Sequence, residues 1–199
     1  MIYNCLRVIV RAAVSLLYRI RAEGISRFPD KGAVVMCANH TYYKDLLILG
    51  SYAPRKINWM AKSELFKIPL FSGLIRRLGA FPVRRGESDR DSVKNVYKVL
   101  KSGEPLGIFP EGTRVFDPNN RLPYKRGFVT FAANTGATVL PVAIRYGNGP
   151  FGRGRLFCRV AMIFGEPVTF DAERKYERRE LDEFAAKITQ WINEVIRDD

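Results

Sequence analysis

His40 is the only histidine in a chain of 199 residues, so any imidazole chemistry is done there. It stands in the stretch Asn39-His40-Thr41-Tyr42-Tyr43-Lys44-Asp45, five residues before a carboxylate. Residues five apart are separated by about 140° on an ideal helix, so a continuous helix would hold the two side chains apart. A strand, a loop and then a helix would bring them together. Residues 33–38 form a short apolar run that reads as a buried strand, and residues 46–52 have helical character. With His40 in the loop and Asp45 in the first helical turn, the carboxylate can accept a hydrogen bond from one ring nitrogen and fix the tautomer. The other nitrogen is then free to take a proton. That is the base and its orienter without a protein nucleophile, so the nucleophile would be a hydroxyl carried by a substrate. A lone histidine after a strand can also be purely structural, which makes the second motif important.

That motif is Phe109-Pro110-Glu111-Gly112-Thr113-Arg114. Pro110 ends a strand over 106–109, and Gly112 allows a tight turn that presents backbone N–H groups. Arg114 beside such a turn suits a phosphate or carboxylate, gripped through two N–H groups. Glu111 can hold that arginine or hydrogen-bond a substrate hydroxyl. Taken alone, the hexapeptide also fits a plain strand-to-loop turn with an ion pair. Lys62, Lys67, Arg76, Arg77, Arg84 and Arg85 lie between the two motifs. Of these, Arg84 follows the extended stretch Gly79-Ala80-Phe81-Pro82-Val83, and ligands in α/β sheets sit at strand ends.

The elements that must position these residues alternate. Strands are expected over 33–38, 57–61, 81–84, 106–109, 138–144 and 156–164, the last near an edge. Helices are expected over 46–52, 69–78, 89–101, 127–134 and 178–197. This predicts an α/β fold, a single domain with a largely parallel central sheet flanked by helices. Residues 127–144 carry no charge over 18 positions, yet Asn134, Thr135, Gly136 and Pro141 interrupt them, so they read as core helix, turn and buried strand.

Residues 2–20 read as an amphipathic helix. At roughly 100° per residue, Ile2, Leu6, Ile9, Ala13, Leu16, Leu17 and Ile20 share one face, opposite Arg7, Arg11, Ser15, Arg19 and Arg21. Such a helix suits the plane of an anionic membrane; it equally suits packing on the domain with its arginines in water. The division expected is a membrane-associating helix over 1–21 and a catalytic domain over 22–199.

Thirty-three Lys+Arg against 20 Asp+Glu give a formal charge of +13, which points to polyanionic partners. No zinc-finger spacing or aromatic-rich RNA-binding signature is visible, which argues against nucleic acid. Cys5, Cys37 and Cys158 are scattered, and with one histidine they build no zinc site at familiar spacings. A reduced, cytoplasmic setting fits.

These blocks together resemble the glycerolipid acyltransferases of the 1-acyl-sn-glycerol-3-phosphate acyltransferase family. Asn39-His40 with Asp45 is similar to the first family block, Gly79 to Arg84 to the second and Phe109 to Arg114 to the third. Val139-Leu140-Pro141-Val142-Ala143-Ile144 resembles the fourth, and Lys62-Ser63-Glu64-Leu65 and Lys125-Arg126-Gly127 resemble intervening segments. The likeness spans about residues 22–170, in family order. Pro82 and Arg85 depart from the second block, the chain is short for the family, and one amphipathic helix stands at the N-terminus with no evident transmembrane span.

The resemblance implies acyl transfer from a thioester, acyl-CoA or acyl carrier protein, to the sn-2 hydroxyl of a lysophospholipid, giving phosphatidic acid. His40 would be the base and Asp45 would stabilise the imidazolium. Acceptor binding would fall to Arg84, Glu111 and Gly112, with Thr113, Arg114 and Lys62 beside them. No metal or bound cofactor is implied. The expected place of action is the cytoplasmic face of the cell membrane, peripherally or monotopically attached. Glycerol 3-phosphate, another lysolipid or an aminoacyl lipid as acceptor remains open, as do plain hydrolysis and a non-catalytic binding protein.

Overall fold

A computed structural model describes residues 2–83, 90–116 and 124–197. Within it the short apolar runs become neighbouring strands of one sheet. The strands are β1 (Arg19–Glu23), β2 (Val34–Ala38), β3 (Asn58–Lys62), β4 (Ala80–Val83), β5 (Pro105–Ile108), β6 (Thr138–Tyr146), β7 (Arg159–Phe164) and β8 (Val168–Thr169). The helices are α1 (Ile2–Leu17), α2 (Asp45–Tyr52), α3 (Phe71–Arg77), α4 (Arg90–Lys101), α5 (Gly127–Ala133) and α6 (Arg178–Arg197). The strand order is β1-β7-β6-β2-β5-β3-β4, with β8 also paired to β6. Among the described residues the pairings β1–β7, β2–β5, β2–β6, β3–β4 and β3–β5 are parallel, and β6–β7 and β6–β8 are antiparallel. The sheet is therefore largely parallel, as expected.

Every residue of β2 is buried, which is what a strand covered on both faces requires. Val34, Met36 and Ala38 face a core shared with α1 and α2; Val35 and Cys37 face one shared with α4, α5 and α6. The uncharged stretch 127–144 resolves into α5, a left-handed turn at Gly136 (φ 65°) and β6. No helix among the described residues is long and apolar enough to cross a membrane.

Two expectations need correction at the N-terminus. The helix stops at Leu17 instead of running to residue 20, because Arg19-Ile20-Arg21-Ala22-Glu23 alternates and pairs in parallel with β7 from Arg19↔Arg159 to Glu23↔Ile163. The helical projection could not separate these readings, since Arg19 and Arg21 extend the basic face of the helix. As a result β7 lies one place in from the edge, and β1 is the edge strand.

The second correction concerns which side of α1 is docked. Tyr3, Arg7, Val10 and Val14 line the docked side. Arg7 donates to the carbonyls of Ala53 and Pro54, both at 3.1 Å, and Arg11 lies 4.5 Å over the ring of Tyr52. The backbone carbonyls left open at the end of α2 thus draw Arg7 inward, while Arg11 stays exposed against the Tyr52 ring. Cys5, Val8, Ile9, Ala12 and Leu16 face outward and are exposed.

Candidate active site

β2 is the middle strand of the seven-strand path, and its C-terminal end delivers Asn39 and His40 to the sheet edge. The side chain of Asn39 continues the ladder where backbone pairing stops. Its amide donates to the Ile144 carbonyl at 3.0 Å, and its oxygen accepts the Ile144 N–H at 2.7 Å. The backbone of His40 is then held on both sides, by the second motif and by the residue that follows it. Its N–H donates to Glu111 Oε2 at 2.7 Å, and its carbonyl accepts the Val115 N–H at 2.8 Å. One oxygen of Glu111 is therefore committed to His40.

His40 Nδ1 lies 2.9 Å from Asp45 Oδ2. That same oxygen accepts the N–H groups of Thr41 at 2.7 Å and Tyr42 at 2.8 Å, and the Tyr146 hydroxyl donates to Oδ1. Asp45 is fully buried and opens α2, where a negative charge is favoured. An ionised carboxylate only accepts, so Nδ1 carries the ring hydrogen and Nε2 of the neutral imidazole carries the lone pair. Burial, followed by the charge of Asp45, raises the Tyr146 phenol far above its ordinary range, so it remains a donor.

The plane of the imidazole is set by stacking. His40 lies against Phe109 with centroids 4.0 Å apart and planes 13° from parallel, and Phe109 lies against Trp59 at 5.4 Å and 15°. Gly107 makes room for this column, since a Cβ there would come within 2.4 Å of the Trp59 ring. The His40 side chain retains 8% exposure. On the other side of Asp45, the Lys44 ammonium sits 4.3, 4.7 and 4.9 Å from the ring centres of Tyr18, Tyr42 and Tyr146 and donates to the Gly154 carbonyl. Burial lowers its pKa.

Of the expected acceptor-binding residues Glu111 is buried, and the others that the structure describes are less enclosed. Gly112 has φ +71°, and its N–H donates to the Phe109 carbonyl at 3.0 Å, so the tight turn is present. Thr113 is exposed. The Arg114 guanidinium lies 3.5 Å from the centre of the Tyr43 ring and 5.4 Å from that of Phe116. Lys62 ends β3, and its Nζ is 3.1 Å from Glu64 Oε1 in a half-exposed ion pair, a weak kind of attachment. Arg84 falls outside the described residues, as does Arg85.

Sequence reasoning missed Tyr146 and the aromatic column. The signal for Tyr146 was available, because strand alternation puts Val142, Ile144 and residue 146 on one face. The column had no local signal, since Trp59, Gly107 and Phe109 come together only through the β3–β5 pairing.

The central strand thus ends in an imidazole held by a buried carboxylate, and the glycine turn that carries Arg114 is tied to the same imidazole's backbone through Glu111. The acyltransferase family profile matches residues 19–145, stopping one residue short of Tyr146. The chain belongs to the 1-acyl-sn-glycerol-3-phosphate acyltransferase family and is an acyl group transferase. It is 33% identical over 199 residues to the 1-acyl-sn-glycerol-3-phosphate acyltransferase of Bacillus subtilis, covering 98% of this chain and 93% of that relative. The enzyme of the same description from Helicobacter pylori is 31% identical over 170 residues, covering 79% of this chain and 69% of the relative. The crystal structure of the 1-acyl-sn-glycerophosphate acyltransferase from Thermotoga maritima aligns with a TM-score of 0.77 at 25% identity, covering 99% of this chain and 80% of that one.

Proposed function

We propose that this chain transfers an acyl group from a thioester, acyl-CoA or acyl carrier protein, to the sn-2 hydroxyl of 1-acyl-sn-glycerol 3-phosphate, giving phosphatidic acid. The observation that carries the chemistry is the saturated Asp45. With Nδ1 engaged at 2.9 Å, the remaining lone pair of His40 is on Nε2. Nε2 takes the hydroxyl proton as the oxygen attacks the thioester carbonyl, and Asp45 stabilises the imidazolium. The tetrahedral intermediate then expels thiolate, and the imidazolium returns its proton to the sulfur. The stack on Phe109 keeps the ring from rotating during both transfers.

The acceptor phosphate is assigned to Arg114 and Arg84 with the turn at Gly112 and Thr113, and Lys62 adds positive charge at the rim. The acceptor is supported by the relatives, which are 1-acyl-sn-glycerol-3-phosphate acyltransferases. A membrane location is supported by the outward apolar face of α1, with Val8, Ile9 and Leu16 well exposed. On this reading the protein lies on the cytoplasmic leaflet without spanning it.

The test is acyl transfer to lysophosphatidic acid, with wild type beside His40→Ala and Asp45→Asn. Phosphatidic acid from wild type and a loss of about 10²- to 10⁴-fold in both folded variants is the expected result. A wild-type protein that acylates glycerol 3-phosphate or another hydroxyl lipid instead would move the acceptor. A His40→Ala enzyme at full rate would sink the mechanism.

A further inference from the structure

Among the described residues, the non-glycine residues with positive φ are Leu70 (62°) and Phe157 (59°). A bulky side chain in that region is a steric outlier, held only when something else favours it. Burial does not favour it here, since Leu70 is 94% exposed and Phe157 47%. Strained backbone thus presents a large apolar side chain to solvent in both places. Each has apolar company. Leu65, Ile68 and Leu74 are exposed near Leu70, and Phe151 and Leu156 near Phe157. Each also has cations at hand: Lys67, Arg76 and Arg77 for the first, Arg155 for the second, all exposed. Glu64, the nearest acid to the first group in sequence, is paired with Lys62.

The topology relates the two tips to the site. Leu70 follows the C-terminal end of β3. Phe157 precedes β7, which runs antiparallel to β6, so both segments emerge at the sheet edge that carries His40. β3 lies two places from β2 on one side and β7 two places on the other. At about 4.8 Å per strand, the tips straddle the catalytic strand across roughly 19 Å. The Phe157 segment is also tied to both neighbours. Its N–H donates to the Leu17 carbonyl at the end of α1 at 2.7 Å, and Arg153 Nε donates to the Tyr146 carbonyl at 2.8 Å.

We propose that Leu70 and Phe157 are two bilayer-inserting tips that seat the His40 edge of the sheet on an anionic membrane. Small apolar points with exposed cations beside them match the boundary between acyl chains and acidic headgroups. This rests on the membrane reading above and adds where the domain touches and which way it faces.

The experiment compares wild type with Leu70→Gly/Phe157→Gly. Glycine removes the apolar side chain and accepts positive φ without strain, so a purely structural role and a membrane role give opposite results. Cosedimentation with vesicles of roughly 3:1 phosphatidylcholine and phosphatidylglycerol is read beside the melting temperature and transfer to a short-chain, monomeric lysophosphatidic acid. The expected result is a partition weaker by at least about tenfold, an equal or higher melting temperature and an unchanged rate on the monomeric acceptor. Undiminished partition in the double variant overturns the inference and leaves the membrane and acyl-transfer readings standing. A lower melting temperature overturns it as well, because the side chains would then be packed contacts. Wild type that ignores these vesicles overturns it together with the membrane reading, while transfer to the monomeric acceptor still judges acyl transfer by itself.

Discussion

The two halves of the site are built to different standards. Around Asp45, two backbone N–H groups, an imidazole and a phenol converge on one buried carboxylate. Around Arg114, the guanidinium rests on the exposed Tyr43 ring, Thr113 is in water and Lys62 holds only a surface partner. A base must be oriented before the substrate arrives, because proton transfer depends on angle and distance at the moment of attack. A cation that receives a flexible phosphorylated lipid gains from being reachable and weakly committed. On the proposed chemistry, the contrast teaches that preorganisation is concentrated where the proton would move.

The contrast can be broken most forcefully at its hinge, Glu111. Glu111→Ala leaves the buried His40 N–H without its acceptor, so unfolding free energy should fall by about 1–3 kcal/mol, and activity should fall with it. Equilibrium urea denaturation beside a transfer assay checks both. Gly107→Ala comes next. Its methyl displaces Trp59 and hence the column under His40, so a loss of about 1–3 kcal/mol is expected, with a lowered kcat in the fraction that folds. Arg114→Ala should do the reverse. It should raise KM for the phosphorylated acceptor about tenfold, with a melting temperature within error of wild type. Tyr146→Phe sharpens the comparison further. One of four hydrogen bonds to Asp45 is lost, so kcat should drop roughly three- to tenfold with KM unchanged. Because burial holds the phenol protonated well above its ordinary pKa, that drop should be the same at every assay pH up to about 10. Smallest for the chemistry is Ile9→Ser with Leu16→Ser, which should weaken vesicle partition while sparing transfer to a monomeric acceptor.

What could be read from the sequence follows the distance between partners along the chain. His40 and Asp45 lie within one strand-to-helix turn, so their spacing announced their meeting. The strands and helices with uninterrupted patterns also appeared near their expected bounds. Glu111 was legible as a site residue, but its commitment to a backbone N–H was not, because that contact spans 71 positions. Tyr146 reaches Asp45 across 101 positions, and only the β2–β6 register brings it there. On α1, periodicity grouped the arginines correctly. It could not say which group would dock, since that depends on carbonyls at the end of α2 that no helical projection contains.

The long reach of these contacts also governs when the enzyme comes into being. Asn39 is tied to Ile144 across 105 positions, and β2 is flanked by β5 and β6, which are made much later in the chain. A ribosome that has released only the first hundred residues therefore holds a histidine and an aspartate but no active site. Closure of such non-local pairings is the slow part of folding. The recovery of acyl transfer after dilution from denaturant should accordingly track the last phase of refolding and lag behind the return of helical signal.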